Sequence, residues 1–176
     1  GPEAAFRKVE DLVLTFAPNG VSYVGEGELA RICKIAHNVM LGVVIQNLIE
    51  ITLLANKMGV PREAFLKFMN NSVMGSMFTR YKSPALVNLD WTTTFTPDLL
   101  LKDLDLGLAL GREWKVPMPT TAATREILQG HIGNAILQKD PKAYLEKDFA
   151  TLMETMANLS GMKLESEHKN VPTGLE

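Results

Sequence analysis

The sequence predicts an all-α fold, and three features carry that prediction. Apolar residues recur at three- and four-residue spacings along most of the chain, which is the helical period and not the alternation of a strand. A stretch of about thirty residues, Glu28 to Met58, contains no proline, which allows one central helix roughly 45 Å long. Pro61, Pro97 and Pro141 stand in front of three further apolar runs, where a proline pre-sets the first turn of a helix, and Gly59 and Gly161 follow two runs as stop signals.

Composition narrows the function classes. The chain has 176 residues with a formal net charge of −2, and 46% of its residues are hydrophobic against 22% charged. That balance buries a core and excludes a disordered chain. Lys and Arg are scattered, so neither nucleic acid nor an anionic membrane surface is expected as a partner. The only cysteine is Cys33, which precludes an intrachain disulfide and fits a reducing cytoplasm. The N-terminal residues Glu3, Arg7 and Lys8 do not read as a signal peptide. Val39 to Ala55 is very apolar, but Gln46, Asn47, Glu50 and Thr52 interrupt it, which favours a buried helix over a membrane span.

Taken in order, Phe6, Val9, Leu12, Val13 and Phe16 make residues 3–16 an amphipathic helix. Pro18-Asn19-Gly20 is a turn, and Val21–Val24 reads as a short strand closed by Gly25. A lone four-residue strand lacks a partner, so this helix and strand read as the last step of a larger sheet domain. The long helix over 28–58 follows, then a helix from Pro61 to about Met69 ended by Asn70-Asn71-Ser72. Residues 76–88 read as a helix bent or broken at Pro84. Asp90 to Phe95 is loop. Pro97 opens a helix to about Trp114, and Pro117-Met118-Pro119 is a stiff connector. Thr120 or Thr121 is expected to cap a helix to about Gln138, and Asp140-Pro141 starts a last helical region to about Leu159. The tail from Lys163 is polar and expected to fray. Three units result: residues 1–25 as a remnant of another domain, 26–162 as a helical domain, and 163–176 as a tail.

Chemistry concentrates on the long helix. At 100° per residue Arg31, Lys34, Asn38 and Gln46 fall on one stripe, with Gly42 between them. Lys34 and Asn38 are an i, i+4 pair, so an ammonium and an amide point to one place. A desolvated lysine serves as general acid or base, and an asparagine both donates to and accepts from a substrate. Gly42 would let another group approach the backbone. The alternative is a solvated helix face, the usual home of charged side chains. His37 reads as structural. Lys102 and Asp103 form a second pattern, which alone is an exposed lysine beside an acid near a helix start. No metal site is expected.

Jointly, Gly25-x-Gly27, Lys34-x-x-x-Asn38, Phe95-x6-Lys102-Asp103-Leu104 and Pro117-x-Pro119 closely resemble the β-hydroxyacid dehydrogenase family, which includes 3-hydroxyisobutyrate dehydrogenases, tartronate semialdehyde reductases and 6-phosphogluconate-dehydrogenase-like enzymes. The resemblance runs from about Glu3 to Met162. It implies the helical C-terminal domain of such an enzyme, preceded by the last helix and strand of a Rossmann domain. It further implies NAD or NADP as cofactor, a small hydroxyacid as substrate, and a homodimer or higher homo-oligomer. Lys34 matches the catalytic lysine and Asn38 the residue orienting substrate, with Arg31 a further substrate contact. Lys102 and Phe95 match positions near the cofactor, while Asp103 and Gly42 are structural neighbours of the site. Gly27 and Lys34 are separated by more residues than the family usually shows, and Arg31 stands nearer the usual spacing; Lys34 is preferred because only it has an asparagine four residues on. No G-x-G-x-x-G lies between a strand and a helix, so the isolated chain is expected to be inactive. The rival reading is a non-catalytic helical assembly module with the same fold.

Overall fold

The computed structural model of the chain describes residues 1–17 and 19–175. Eight α-helices are described: α1 (Glu3–Leu14), α2 (Leu29–Lys57), α3 (Arg62–Asn70), α4 (Met77–Asn88), α5 (Pro97–Trp114), α6 (Pro119–Asn134), α7 (Pro141–Leu145) and α8 (Leu152–Leu159). Short 3-10 turns at Ala135–Leu137 and Phe149–Thr151 complete the set. Among the described residues there is no strand. Val21–Val24 therefore forms none here, because no second segment lies alongside to complete a ladder. Phe6 of α1 instead stacks on Tyr23, with ring centroids 5.4 Å apart, and no residue of α1 is buried. Pro18 of the expected turn lies outside the described residues, and Gly20 N–H donates to the Ala17 carbonyl at 2.9 Å.

Helix α2 is the axis of the bundle, with α3, α5, α6 and α8 packed around it. It is long and apolar enough to cross a membrane by length and composition, yet half of its most apolar stretch is buried against those neighbours. Its buried residues begin only at Asn38 and continue through Val39, Gly42, Ile45, Gln46, Leu48, Ile49, Thr52 and Leu53. Those positions repeat at three- and four-residue steps and give one inward face. The first turns of α2 leave the core, so Lys34 sits about one turn before burial starts. The core joins Ile45, Ile49 and Leu53 to Leu66 of α3, Leu86 of α4, Leu100 and Leu104 of α5, Leu128 of α6, and Phe149 and Met153.

Two glycines bring α2 and α5 together. A Cβ on Gly42 would lie 2.9 Å from Leu104 Cδ2 and 3.2 Å from Leu100 Cδ1, and one on Gly107 would run into Val39 Cγ2. Gly42 thus admits leucines of α5 and not a ligand, which corrects the reading of it as an approach point for another group. Thr96 caps α5 by accepting from Leu99 N–H at 3.4 Å, with Pro97 in the first turn.

Three other expectations are overturned. Helix α4 runs unbroken through Pro84. Thr79, Lys82, Ser83, Leu86 and Val87 are buried on both sides of the proline, and this packing outweighs the one lost backbone bond. Helix α6 begins at Pro119, with no side-chain cap, so neither Thr120 nor Thr121 caps it, and it ends at Asn134 before a 3-10 turn.

The tail is docked and does not fray. The Glu167 carboxylate accepts from the Arg62 and Glu63 backbone N–H groups at 2.7 and 2.9 Å, which supplies the first turn of α3 with the acceptors that its own sequence lacks. The buried Arg62 guanidinium donates to the carbonyls of Leu86, Val87 and Glu165. Asn88 and Lys169 exchange two bonds of 2.8 and 2.9 Å. Leu164 and Val171 pack against the core.

Helix α6 also buries His131, between the hydroxyls of Thr155 and Thr151 at 2.8 and 3.1 Å. Burial pushes the imidazole pKa down to about 4. The unfolded chain takes up a proton near pH 6.5 that the native chain refuses until about pH 4. Stability from this group is therefore complete above pH 6.5 and is lost as the pH falls, by on the order of 2 kcal/mol between pH 6.5 and 5. Denaturant unfolding across that window should show the slope in the wild type and its loss in His131→Gln. A wild type as stable at pH 5 as at pH 6.5 would contradict a neutral buried imidazole.

Candidate active site

The site is built where α2 emerges from the core and crosses α5. On α5, Leu100, Asp103, Leu104 and Gly107 are buried and face α2, so the helix period carries an acid into an otherwise apolar stripe. The Asp103 side chain is only 2% exposed. Its Oδ2 accepts from Asn38 Nδ2 at 2.5 Å and from Lys34 Nζ at 3.4 Å, and its Oδ1 lies 3.0 Å from Lys102 Nζ. Burial pushes this carboxyl up, but the Asn38 and Lys102 hydrogen bonds and the charges of Lys34 and Lys102 outweigh it and hold the group below the usual carboxylate range. Asp103 is ionised at neutral pH and gathers two cations and an amide.

Lys34 and Asn38 play different parts. Asn38 is buried, with its Oδ1 3.0 Å from His37 Nδ1. The Lys34 side chain remains 59% exposed, so it is not the desolvated amine that the sequence reading invoked, and that of Lys102 is 55% exposed. Two ammonium groups thus reach the surface from a common buried anchor, an arrangement suited to an anionic small molecule.

The remaining sequence candidates lie apart from this cluster. Arg31 pairs with Glu28 at 2.8 Å in a surface i, i+3 bridge. It is not brought to Asp103. Phe95 packs edge-on against Phe149 at 6.0 Å, and its backbone N–H reaches Asp148. It joins the support of the α5 N-terminus and does not join the Lys34 cluster. Gln46 is buried and donates to Glu50 Oε1 at 2.7 Å, further along α2.

Sequence reasoning missed two features. His37 was read as a packed or hydrogen-bonded histidine without a partner being named, and its partner is Asn38. Lys82 was not singled out, although it is 2% exposed and lies 2.8 Å from both oxygens of a 1% exposed Asp148. The signal for Lys82 was its spacing with Thr79, Ser83 and Leu86 on the inner face of α4. Among the described residues, no group of three His, Cys, Asp or Glu side chains is arranged to hold a metal ion.

Residues 27–158 match the sequence profile described as NAD-binding of NADP-dependent 3-hydroxyisobutyrate dehydrogenase. This chain belongs to that family. It is 29% identical over 145 residues to 2-(hydroxymethyl)glutarate dehydrogenase of Eubacterium barkeri, covering 82% of this chain and 48% of that protein. It is 24% identical over 158 residues to 2-hydroxy-3-oxopropionate reductase of Escherichia coli (strain K12), covering 90% of this chain and 52% of that protein. The fold is similar to part of 3-hydroxyisobutyrate dehydrogenase from Mycobacterium tuberculosis, with a TM-score of 0.72 at 17% identity over 89% of this chain and 53% of that one. The Salmonella typhimurium enzyme matches similarly, with a TM-score of 0.70 at 20% identity over 88% of this chain and 52% of that one. The chain spans about half the length of the curated relatives it matches. The family's cofactor is NAD or NADP.

Proposed function

We propose that this chain is the helical substrate domain of an NAD- or NADP-dependent β-hydroxyacid dehydrogenase that oxidises a small 3-hydroxy acid or reduces the matching semialdehyde. Residues 26–162 form that domain, the tail beyond it straps α3 to α4, and residues 1–25 are the end of a cofactor domain. The observation that carries the reading is the convergence of Lys34 and Asn38, one turn apart, on the buried carboxylate of Asp103.

The residues present suit one end of the cofactor. Two half-exposed ammonium groups over a buried amide fit an anionic substrate and the reacting ring beside it. The phosphates need a glycine-rich turn between a strand and a helix; Gly25-x-Gly27-x-x-Ala30 ahead of α2 has two of the glycines but no strand before it among the described residues. A bound nicotinamide supplies the hydride acceptor for oxidation and the hydride donor for reduction. For oxidation Lys34 first gives its own proton to solvent and as the neutral amine takes the hydroxyl proton; for reduction the ammonium donates that proton to the carbonyl oxygen. Asn38 orients the hydroxyl through its amide, and Lys102 holds negative charge at the edge of the site. Asp103 positions all three.

Two further expectations belong to this reading. The chain works in a reducing cytoplasm, free of membrane and nucleic acid. It also pairs with a second copy, because Met40, Leu54 and Met58 of α2 and Phe68, Val73 and Met74 beyond it are each exposed, which leaves much apolar side chain for a partner to cover. Sedimentation at tens of micromolar should give a dimer or larger species; a monomer would refute the pairing.

The reading is tested by replacing Lys34 in the complete dehydrogenase and measuring turnover. A second measurement bears on the isolated chain. Titrated with NADH or NADPH, it should show no micromolar binding of either, and such binding would overturn the assignment of the phosphate site to residues outside it.

A further inference from the structure

Beside Lys34 stands a group to which the mechanism above gives no part. His37 follows it by three residues on α2, so the two side chains are neighbours on the helix surface. Its Nδ1 lies 3.0 Å from Asn38 Oδ1.

The tautomer of that imidazole follows from the chain of contacts. Ionised Asp103 only accepts hydrogen bonds, so the Asn38 atom facing it has to be the NH2 group. The amide oxygen then faces His37, and a carbonyl oxygen also only accepts. His37 Nδ1 therefore carries the hydrogen, and in the neutral ring Nε2 is a bare acceptor. A buried carboxylate on α5 thus selects the tautomer of an exposed histidine on α2, through one asparagine.

We propose that His37 is a positioning residue of this site, held as the Nδ1–H tautomer by Asp103 through Asn38, so that its N–H fixes the Asn38 amide while its Nε2 lone pair faces outward. The proposal rests on the assignment of Lys34 and Asn38 to substrate handling. Asp103 prevents the amide from flipping, and His37 restrains its remaining torsion from the other side. Substrate then meets an oriented amide and does not have to order one on binding.

Two measurements test it, and only one depends on activity. In mildly alkaline solution, nitrogen-15 NMR of this chain should show His37 as the Nδ1–H tautomer and show that state lost in Asn38→Ala. An Nε2–H tautomer in the wild type overturns the proposal. In the complete dehydrogenase, His37→Leu should raise KM by about 3- to 10-fold with kcat little changed, the effect of one lost hydrogen bond made equally in ground and transition states. The amide nitrogen of asparagine occupies the place of Nδ1, whereas that of glutamine occupies the place of Nε2. His37→Asn should therefore restore most of the lost affinity and His37→Gln should not. Equal behaviour of the two, or a loss that follows melting temperature and not KM, means a merely structural histidine and overturns the proposal. If Lys34→Ala leaves turnover intact, the functional reading fails, and the NMR result still decides the tautomer.

Discussion

Lys34→Ala in the complete dehydrogenase is expected to lower kcat by about 10²- to 10⁴-fold, the usual worth of a positioned general acid or base, while the fold survives. The chemical part follows from the inventory around Asp103. Asn38 cannot exchange a proton in this range, and the second amine, Lys102, sits on the opposite carboxylate oxygen, so it cannot take over at the same place. The structural part follows from exposure. The lysine is more than half exposed, and its removal leaves Asp103 with both Asn38 and Lys102 as partners. Unfolding should therefore shift little, and a comparison of steady-state kinetics with melting temperature separates the two effects. Lys34→Arg should fail to restore turnover, because a guanidinium keeps its charge and cannot serve as base. A fall in kcat of less than tenfold in Lys34→Ala would remove the amine from the chemistry.

How far the sequence made this legible depends on the range of the forces involved. Helix α5 was read from Pro97 to about Trp114 and runs over those residues, because a proline start and a run of leucines are local signals. Lys34 and Asn38 could be paired for the same reason, since their spacing alone places them on one face. Asp103 was read only as a neighbour of the site. Its role as anchor depends on which helix lies opposite, although its place in the stripe of Leu100, Leu104 and Gly107 was a usable hint that an acid there needs cations. The tail was misread because Leu164 and Val171 are too sparse to signal packing. Its order comes from Glu167 on α3 and Lys169 on Asn88, partners about eighty to a hundred residues away in sequence. Gly42 was rightly singled out, for the wrong occupant.

Lys82→Met should cost about 3–5 kcal/mol of stability at neutral pH, the range for removing one partner of a buried ion pair. The ammonium touches both Asp148 oxygens and Thr94 Oγ1, each at 2.8 Å, and lies 4.3 Å from the centre of the Phe149 ring. Burial pulls the lysine down and would push Asp148 up. The Lys82 contact, the Thr94 hydroxyl and the Ala150 N–H together hold Asp148 below its ordinary range. Because the Asp148 pKa is depressed in the folded state, its contribution is present above the unfolded value of about 3.9 and is lost as the pH falls below it. Without Lys82 the carboxylate is stranded and takes up a proton more readily. The deficit of Lys82→Met should therefore shrink as unfolding is measured from neutral pH down towards pH 4, and Asp148→Asn added to Lys82→Met should recover part of it. The pair also reaches the active site. Asp148 accepts from the backbone N–H groups of Thr94 and Phe95, and Phe149 N–H donates to the Phe95 carbonyl at 2.9 Å, so it fixes the residues that lead into α5. Asp103 stands two turns further along that helix, and Lys82→Met should accordingly raise KM as well as lower stability. A variant as stable as the wild type would show that the pair contributes no net stability.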